Sequence, residues 1–142
     1  MPVLLWMGLI FWGSTDALAA HRTSRFLGPF LRWLVPGIGS ETEAGVRAVI
    51  RKGGHVTEYA VLAILIARAV RAGPESGSRT RTWVLAAWLG ATGYAATDEF
   101  HQSFQPTRQG SVIDVGIDSA GAALGSMAYA VWVKRRERRR IR

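Results

Sequence analysis

The sequence contains no cysteine, so disulfide bonds and thiolate metal sites are excluded, and the redox compartment cannot be read from it. Acidic residues are scarce, with 10 Asp and Glu against 18 Lys and Arg. There is no internal repeat, and the only low-complexity segment is an arginine-rich tail at the carboxyl end. These absences exclude a disulfide scaffold and a repeat architecture.

A net charge of +8 is one feature of proteins that bind nucleic acid. Most of this charge, however, directly follows an apolar stretch, in residues 134–142. A basic segment in that position is typical of a positive-inside signal that also attracts anionic lipid. We therefore expect membrane lipids as partners and no nucleic acid.

The apolar residues are concentrated in four stretches, which cover 2–20, 52–71, 83–100 and 112–133. Each is close to the roughly 20 helical residues that cross about 30 Å of hydrocarbon. The pattern predicts an all-α integral membrane protein, a four-transmembrane-helix bundle within a domain at 1–133 and a basic cytoplasmic tail at 134–142. For the first stretch, a signal peptide is the alternative, although no basic segment precedes it.

The distribution of basic residues predicts a multi-pass protein of the cell membrane with both termini in the cytoplasm. The tail and the arginines around loop 72–82 then lie inside, whereas segments 21–51 and 101–110 face outside. Five arginines in the first outer segment argue against this orientation, but the inner ones outnumber them.

Between the first two spans, Phe26, Leu27, Phe30, Leu31 and Leu34 are spaced for one apolar helical face. This pattern predicts an interfacial amphipathic helix, which Pro29 and Pro36 keep short. Further on, Ser40 and Glu43 have the spacing of a capping box that starts the next helix.

Ionisable and polar residues occur where three of the spans begin or end. Lys52, His55, Glu58 and Tyr59 open the second span; Asp98, Glu99, His101 and Gln102 close the third; Ser111, Asp114 and Asp118 open the fourth. Alternating topology places all three groups at the same membrane face. Because charged side chains are costly inside a membrane, we expect them to face the bundle interior and to share partners.

In the fourth span, Gly121 and Gly125 form a small-xxx-small pattern, which predicts close helix packing.

The polar residues at the ends of the second, third and fourth spans resemble the pattern of the VanZ-like family, which is named after the teicoplanin resistance protein VanZ. The resemblance also includes Leu62, Phe104, Pro106, Arg108 and Gly121. The likeness extends from about Lys52 to Gly125 in order and with matching spacing. It implies a polytopic membrane protein of the bacterial cell envelope, linked in its namesake to glycopeptide resistance. It implies no particular reaction.

Two main hypotheses follow for the polar cluster. In the first, the protein is an enzyme acting on a lipid-linked or cell-wall anionic headgroup, with His55 as general acid or base and Glu58, Asp98 or Asp114 orienting it. Lys52 and Arg108 would hold the anion. A metal version uses His55, Asp98, Glu99 and Asp114 as ligands of a divalent ion, which makes a divalent metal the candidate cofactor.

In the second hypothesis the same residues form a non-catalytic site for a lipid headgroup or a lipoglycopeptide drug. An ion or proton pathway is a further alternative. We assign candidate catalytic roles to His55, Glu58, Asp98, Glu99 and Asp114. Candidate substrate-binding residues are Lys52, Tyr59, His101, Gln102, Arg108, Ser111 and Asp118.

Overall fold

A computed structural model describes residues 1–14, 20–73, 79–104 and 110–140, with side chains from residue 27 onward in the second range. Within this part of the chain all regular structure is helical, as the sequence predicted. The helices are α1 (Pro2–Ser14), α2 (Ala20–Leu34), α3 (Ser40–Ala72), α4 (Thr80–Gln102) and α5 (Val112–Arg140). Helices α3, α4 and α5 pack against one another, α1 packs on α3 and α4, and α2 packs on α3.

The directions of the packed helices alternate along the chain. Helices α3 and α5 run the same way, because His55 faces Asp118 near one end and Arg71 pairs with Glu137 at the other. Helix α4 runs against both, since Trp83 near its start contacts Tyr129 late in α5. The end of α4 and the start of α5 therefore lie beside the same part of α3.

The contact between α3 and α5 depends on two glycines. A Cβ atom on Gly121 would collide with the backbone of Val56, and one on Gly125 would collide with the backbone of Ala60. The close packing predicted from the small-xxx-small pattern is therefore confirmed. Around this contact the core contains mostly small side chains, and its larger members are Ile10, Tyr59 and Leu62.

Helix α1 is attached to the bundle by two hydrogen bonds from aromatic side chains. The indole of Trp6 donates to the backbone oxygen of Glu58 at 3.0 Å, and the hydroxyl of Tyr94 donates to the backbone oxygen of Met7 at 2.7 Å. Ile10 of α1 is buried in the same core. These contacts fix α1 along α3 and α4.

The segment between α1 and α3 departs from two local predictions. Helix α2 passes through Pro29, so that proline does not shorten it as predicted, although the helix does end just before Val35 and Pro36. Helix α3 begins at Ser40 as predicted, but Gly39 is its N-cap and no side chain caps it. The Glu43 carboxylate instead pairs with Arg32 at 3.6 Å and with Arg47 at 3.5 Å. These two ion pairs displace the predicted capping box.

Helix lengths differ from the predicted spans. Helix α3 starts 12 residues before the predicted span at residue 52, and α5 continues through Arg140, so most of the predicted basic tail is helical and exposed. Among the described helices, α3 alone is both long and apolar enough to cross a membrane by length and composition. Helix α1 is apolar but has 13 residues. Helices α4 and α5 are long, but their polar residues and small packing residues lower their hydropathy.

Candidate functional site

A polar cavity lies where α3, α4 and α5 meet. Its free space of about 20 Å³ is enough for a single water molecule or a single ion. Each of the three helices contributes polar side chains to it. The lining residues are Arg51, Lys52 and His55 from α3, Glu99 and Gln102 from α4, and Asp114, Ile117 and Asp118 from α5.

Three side chains converge in the cavity with atoms that can bind a cation. Donor atoms of His55, Glu99 and Asp118 all lie within 4.8 Å of one another. His55 Nδ1 is 3.8 Å from Asp118 Oδ2, which is too long for a hydrogen bond. Asp118 is 1% exposed and Glu99 is 5% exposed. Two carboxylates thus lie close together in a nearly water-free environment.

The open side of the cavity carries the basic residues. Arg51 is exposed, and the Lys52 side chain, 42% exposed, donates to Asp114 Oδ1 at 2.7 Å. Nearby, the backbone N–H of Ser111 donates to Glu99 Oε2 at 2.9 Å. This bond orients the Glu99 carboxylate at the amino end of α5, where the helix dipole favours negative charge.

A second polar group, centred on Asp98, lies deeper beside α1. Asp98 Oδ2 accepts hydrogen bonds from the hydroxyl of Ser14 at 2.7 Å, the hydroxyl of Tyr59 at 3.3 Å and the amide of Gln102 at 3.0 Å. All four residues are buried. Gln102 also lines the cavity, so it connects the Asp98 group to the cavity.

Helical spacing explains why each helix places two polar side chains on the same face. Lys52 and His55 are one turn apart on α3, as are Asp98 and Gln102 on α4 and Asp114 and Asp118 on α5. Because α4 ends and α5 begins at the same level, their polar ends meet the middle of α3.

The structure therefore separates the predicted site residues into groups. Lys52, His55, Glu99, Asp114 and Asp118 surround the cavity, Gln102 joins it to Asp98, and Tyr59 and Asp98 lie in the deeper group. Ser111 contributes its backbone N–H.

Two predicted residues, Glu58 and His101, lie elsewhere. Glu58 is on α3 but does not line the cavity, and its described hydrogen bond is made by its backbone oxygen. The ring of His101 packs against Phe11, with centroids 4.8 Å apart. Arg108 lies outside the described residues.

The metal set predicted from the sequence also differs from the observed grouping. Asp98 is held by Ser14, Tyr59 and Gln102, and Asp114 is held by Lys52, so the donors that converge are His55, Glu99 and Asp118. Asp118, a predicted substrate-binding residue, is thus one of the three converging donors. The sequence places Asp118 one helical turn after Asp114, so both are expected near the site. This spacing does not show which of the two carboxylates pairs with Lys52.

Sequence reasoning missed two contributors to these groups. Arg51 lines the cavity beside Lys52, and Ser14 of α1 donates to Asp98 across 84 residues of sequence. Ser14 interrupts an apolar stretch, which is a signal for a buried polar contact, but no local pattern identifies its partner.

The fold and the site together define an all-helical protein with ionisable residues from three helices gathered around one small cavity. A family model described as VanZ/LLP1 matches residues 1–133, and the chain belongs to this family. The comparison with curated proteins finds no match. The comparison with solved structures finds none either.

Proposed function

We propose that this protein is a multi-pass protein of the bacterial cell membrane that binds the anionic headgroup of a lipid or lipid-linked cell-wall molecule at its outer face. The single observation that carries the proposal is the convergence of α3, α4 and α5 on one polar cavity that is lined by exposed Arg51 and half-buried Lys52. VanZ/LLP1 membership supports the membrane location. The resemblance to teicoplanin resistance protein VanZ supports a contribution to glycopeptide resistance.

The proposal includes four membrane spans, formed by α1, α3, α4 and α5. The alternating directions of α3, α4 and α5 are those expected of a chain that crosses a membrane repeatedly. Large apolar side chains on these helices point away from the core, including Leu5 at 70% exposed and Leu89 at 61% exposed. Such exposure is unfavourable in water but suits contact with lipid chains. Helix α2, with Trp33 and Leu34 exposed, is proposed to lie in the interface.

The distribution of charge around the cavity supports an anion above it. The basic side chains of Arg51 and Lys52 are on the accessible side, while Glu99 and Asp118 are buried. The cavity itself holds about 20 Å³, which is too small for a phosphate group with its ester substituents. The headgroup is therefore proposed to contact the basic residues, with its phosphate outside the cavity.

Catalysis on the bound headgroup is the second candidate function. The observation that favours it is His55, an imidazole that lines the cavity beside the buried carboxylates of Glu99 and Asp118 and that could act as a general base. Turnover of a bound headgroup by purified protein would separate an enzyme from a binder.

A lipid-binding experiment tests the proposal. The full chain is purified in detergent, and retention of a polyprenyl phosphate is measured by native mass spectrometry, with diacylglycerol as the uncharged comparison. Replacing Arg51 and Lys52 together by Ala should weaken retention of the phosphate at least about tenfold, because two charges on the accessible side are lost. The matched control replaces Arg138 and Arg139, which lie at the far end of α5.

Equal retention by both double variants would contradict headgroup binding at this cavity. In cells, the Arg51 and Lys52 variant should also lose any teicoplanin protection that the wild-type protein confers, after normalisation for protein in the membrane. Protection that survives intact would remove the resistance part of the proposal.

A further inference from the structure

We infer that His55, Glu99 and Asp118 form a binding site for one divalent transition-metal cation, of which Zn²⁺ is the best match. The three residues come from α3, α4 and α5, so the ion would join all three helices at the cavity. This inference concerns the cavity alone and holds whichever headgroup the protein binds.

The geometry fits a small cation. Because the donor atoms lie within 4.8 Å of one another, a central ion would be within about 2.8 Å of each. Shifts of less than about 1 Å would bring these atoms to the 2.0–2.2 Å typical of Zn²⁺ bonded to nitrogen and oxygen. The 20 Å³ of free space accommodates such an ion.

A second observation, independent of the clustering, is the state of Asp118. Its side chain is 1% exposed, it lines the cavity, and neither carboxylate oxygen has a hydrogen-bond partner among the described residues. His55 Nδ1 likewise has no hydrogen-bond partner there. Buried carboxylates are ordinarily hydrogen-bonded or paired, or they coordinate a metal. Here the unpartnered atoms face the space between the three helices.

The arrangement of charges is compatible with a bound cation. Around the cavity, two basic residues, Arg51 and Lys52, face three acidic ones, Glu99, Asp114 and Asp118, and Lys52 is paired with Asp114. A divalent cation would relieve the repulsion between the buried carboxylates of Glu99 and Asp118.

The donor set selects among cations. One imidazole nitrogen and two carboxylates suit Zn²⁺ or a neighbouring transition ion, whereas Mg²⁺ and Ca²⁺ prefer ligand sets made only of oxygen. Three protein ligands also leave a coordination position open, which is the arrangement of zinc sites that bind a further ligand.

Zinc binding to the full-length protein tests this inference. Protein stripped with a chelator is titrated with Zn²⁺ in competition with a chromophoric chelator, without added lipid. We expect one Zn²⁺ per chain, not displaced by a large excess of Mg²⁺. His55→Ala, Glu99→Gln and Asp118→Asn should each weaken this binding at least about tenfold. Glu41→Gln, in the exposed first turn of the same helix as His55, should retain affinity within about twofold.

Thermal unfolding gives a readout that does not depend on chelator chemistry. Zn²⁺ should raise the Tm of the wild type and of Glu41→Gln but not that of Asp118→Asn. In the metal-free protein, Asp118→Asn should have a Tm equal to or above the wild type, because an unpartnered buried charge is removed. Zinc affinity that is unchanged in all three cavity variants would overturn the inference. So would a lower Tm of metal-free Asp118→Asn, which would identify a structural His55–Asp118 ion pair. Neither result would affect headgroup binding at Arg51 and Lys52.

Discussion

Asp98 illustrates how a charged side chain is accommodated inside this bundle. It is 3% exposed, and one of its oxygens accepts hydrogen bonds from residues on α1, α3 and α4. A buried carboxylate with several donors is far less costly than one without them. The contrast with Asp118, which is equally buried but lacks such donors among the described residues, distinguishes a structural carboxylate from a candidate ligand.

The bond from Ser14 to Asp98 gives a prediction about stability. Ser14→Ala should reduce the free energy of unfolding in detergent by about 1–2 kcal/mol, because a hydrogen bond to a charged acceptor is lost while the acceptor remains buried. Unfolding is followed by intrinsic fluorescence as a denaturing detergent is added. Ser103→Ala is the control, since that exposed hydroxyl, just after α4, donates to the nearby backbone oxygen of Phe100. A loss as small as that of the control would show that Ser14 contributes nothing to holding Asp98.

At this scale the sequence predicted which residue types would gather, but not how they would pair. Periodicity placed His55, Asp98 and Asp118 at one level, because helix spacing and alternating topology are properties of the chain itself. Their separation into a cavity and a deeper group depends on the rotation of each helix about its axis and on side-chain rotamers. It also depends on α1, whose Ser14 reaches Asp98 from a distant part of the sequence. Helix rotation, side-chain rotamers and the contact from Ser14 are not determined by local spacing.

The backbones of α3 and α5 approach each other closely at two glycines of α5, which leads to a prediction about Gly125. Gly125→Ala should destabilise the protein by about 1–3 kcal/mol, because its Cβ would fall on the backbone of Ala60, which cannot move aside as a flexible side chain would. The free energy of unfolding in detergent is the measurement.

Gly116→Ala is the matched control for Gly125→Ala. It lies on the same helix with nothing within 4 Å of the added Cβ, and Ala favours helix over Gly by up to about 1 kcal/mol. The control should therefore be neutral or slightly stabilising. Equal effects of the two substitutions would mean that α3 and α5 are not in backbone contact at this level.

The existence of the helices was more predictable from sequence than their ends. Four apolar stretches and one amphipathic segment correspond to the five described helices, because apolar periodicity is set by burial along each element. The ends differ where tertiary contacts compete with local signals. Glu43 pairs with Arg32 and Arg47 and does not form the capping box. Beyond the last apolar residues, the Arg71–Glu137 ion pair, at 3.0 Å, joins α3 to the helical continuation of α5.

For the whole molecule, the most direct prediction concerns topology. Four spans put both termini on the same side of the membrane, and the basic tail predicts that this side is the cytoplasm. The polar cavity then lies at the outer face, because α1 and α4 end there and α5 begins there. Since the chain has no cysteine, single substitutions at Ser40, Ser78 and Ser103 can be labelled with a membrane-impermeant thiol reagent in intact cells. Cysteines at Ser40 and Ser103 should be labelled from outside, and a cysteine at Ser78 only after the cells are permeabilised.

Each labelling outcome bears on a different part of this arrangement. Labelling at Ser78 but not at Ser103 in intact cells would show that the protein has the opposite orientation. The cavity would then lie at the cytoplasmic face, and its ligand would be a lipid headgroup of that face. Labelling at all three positions would contradict the passage of α4 across the membrane, since Ser78 precedes that helix and Ser103 follows it. The predicted pattern fits the charge distribution, because the seven Lys and Arg residues at 134–142 remain on the cytoplasmic side. Helix α4, whose composition alone does not qualify it as a span, would then cross the membrane with its polar end packed against α3 and α5.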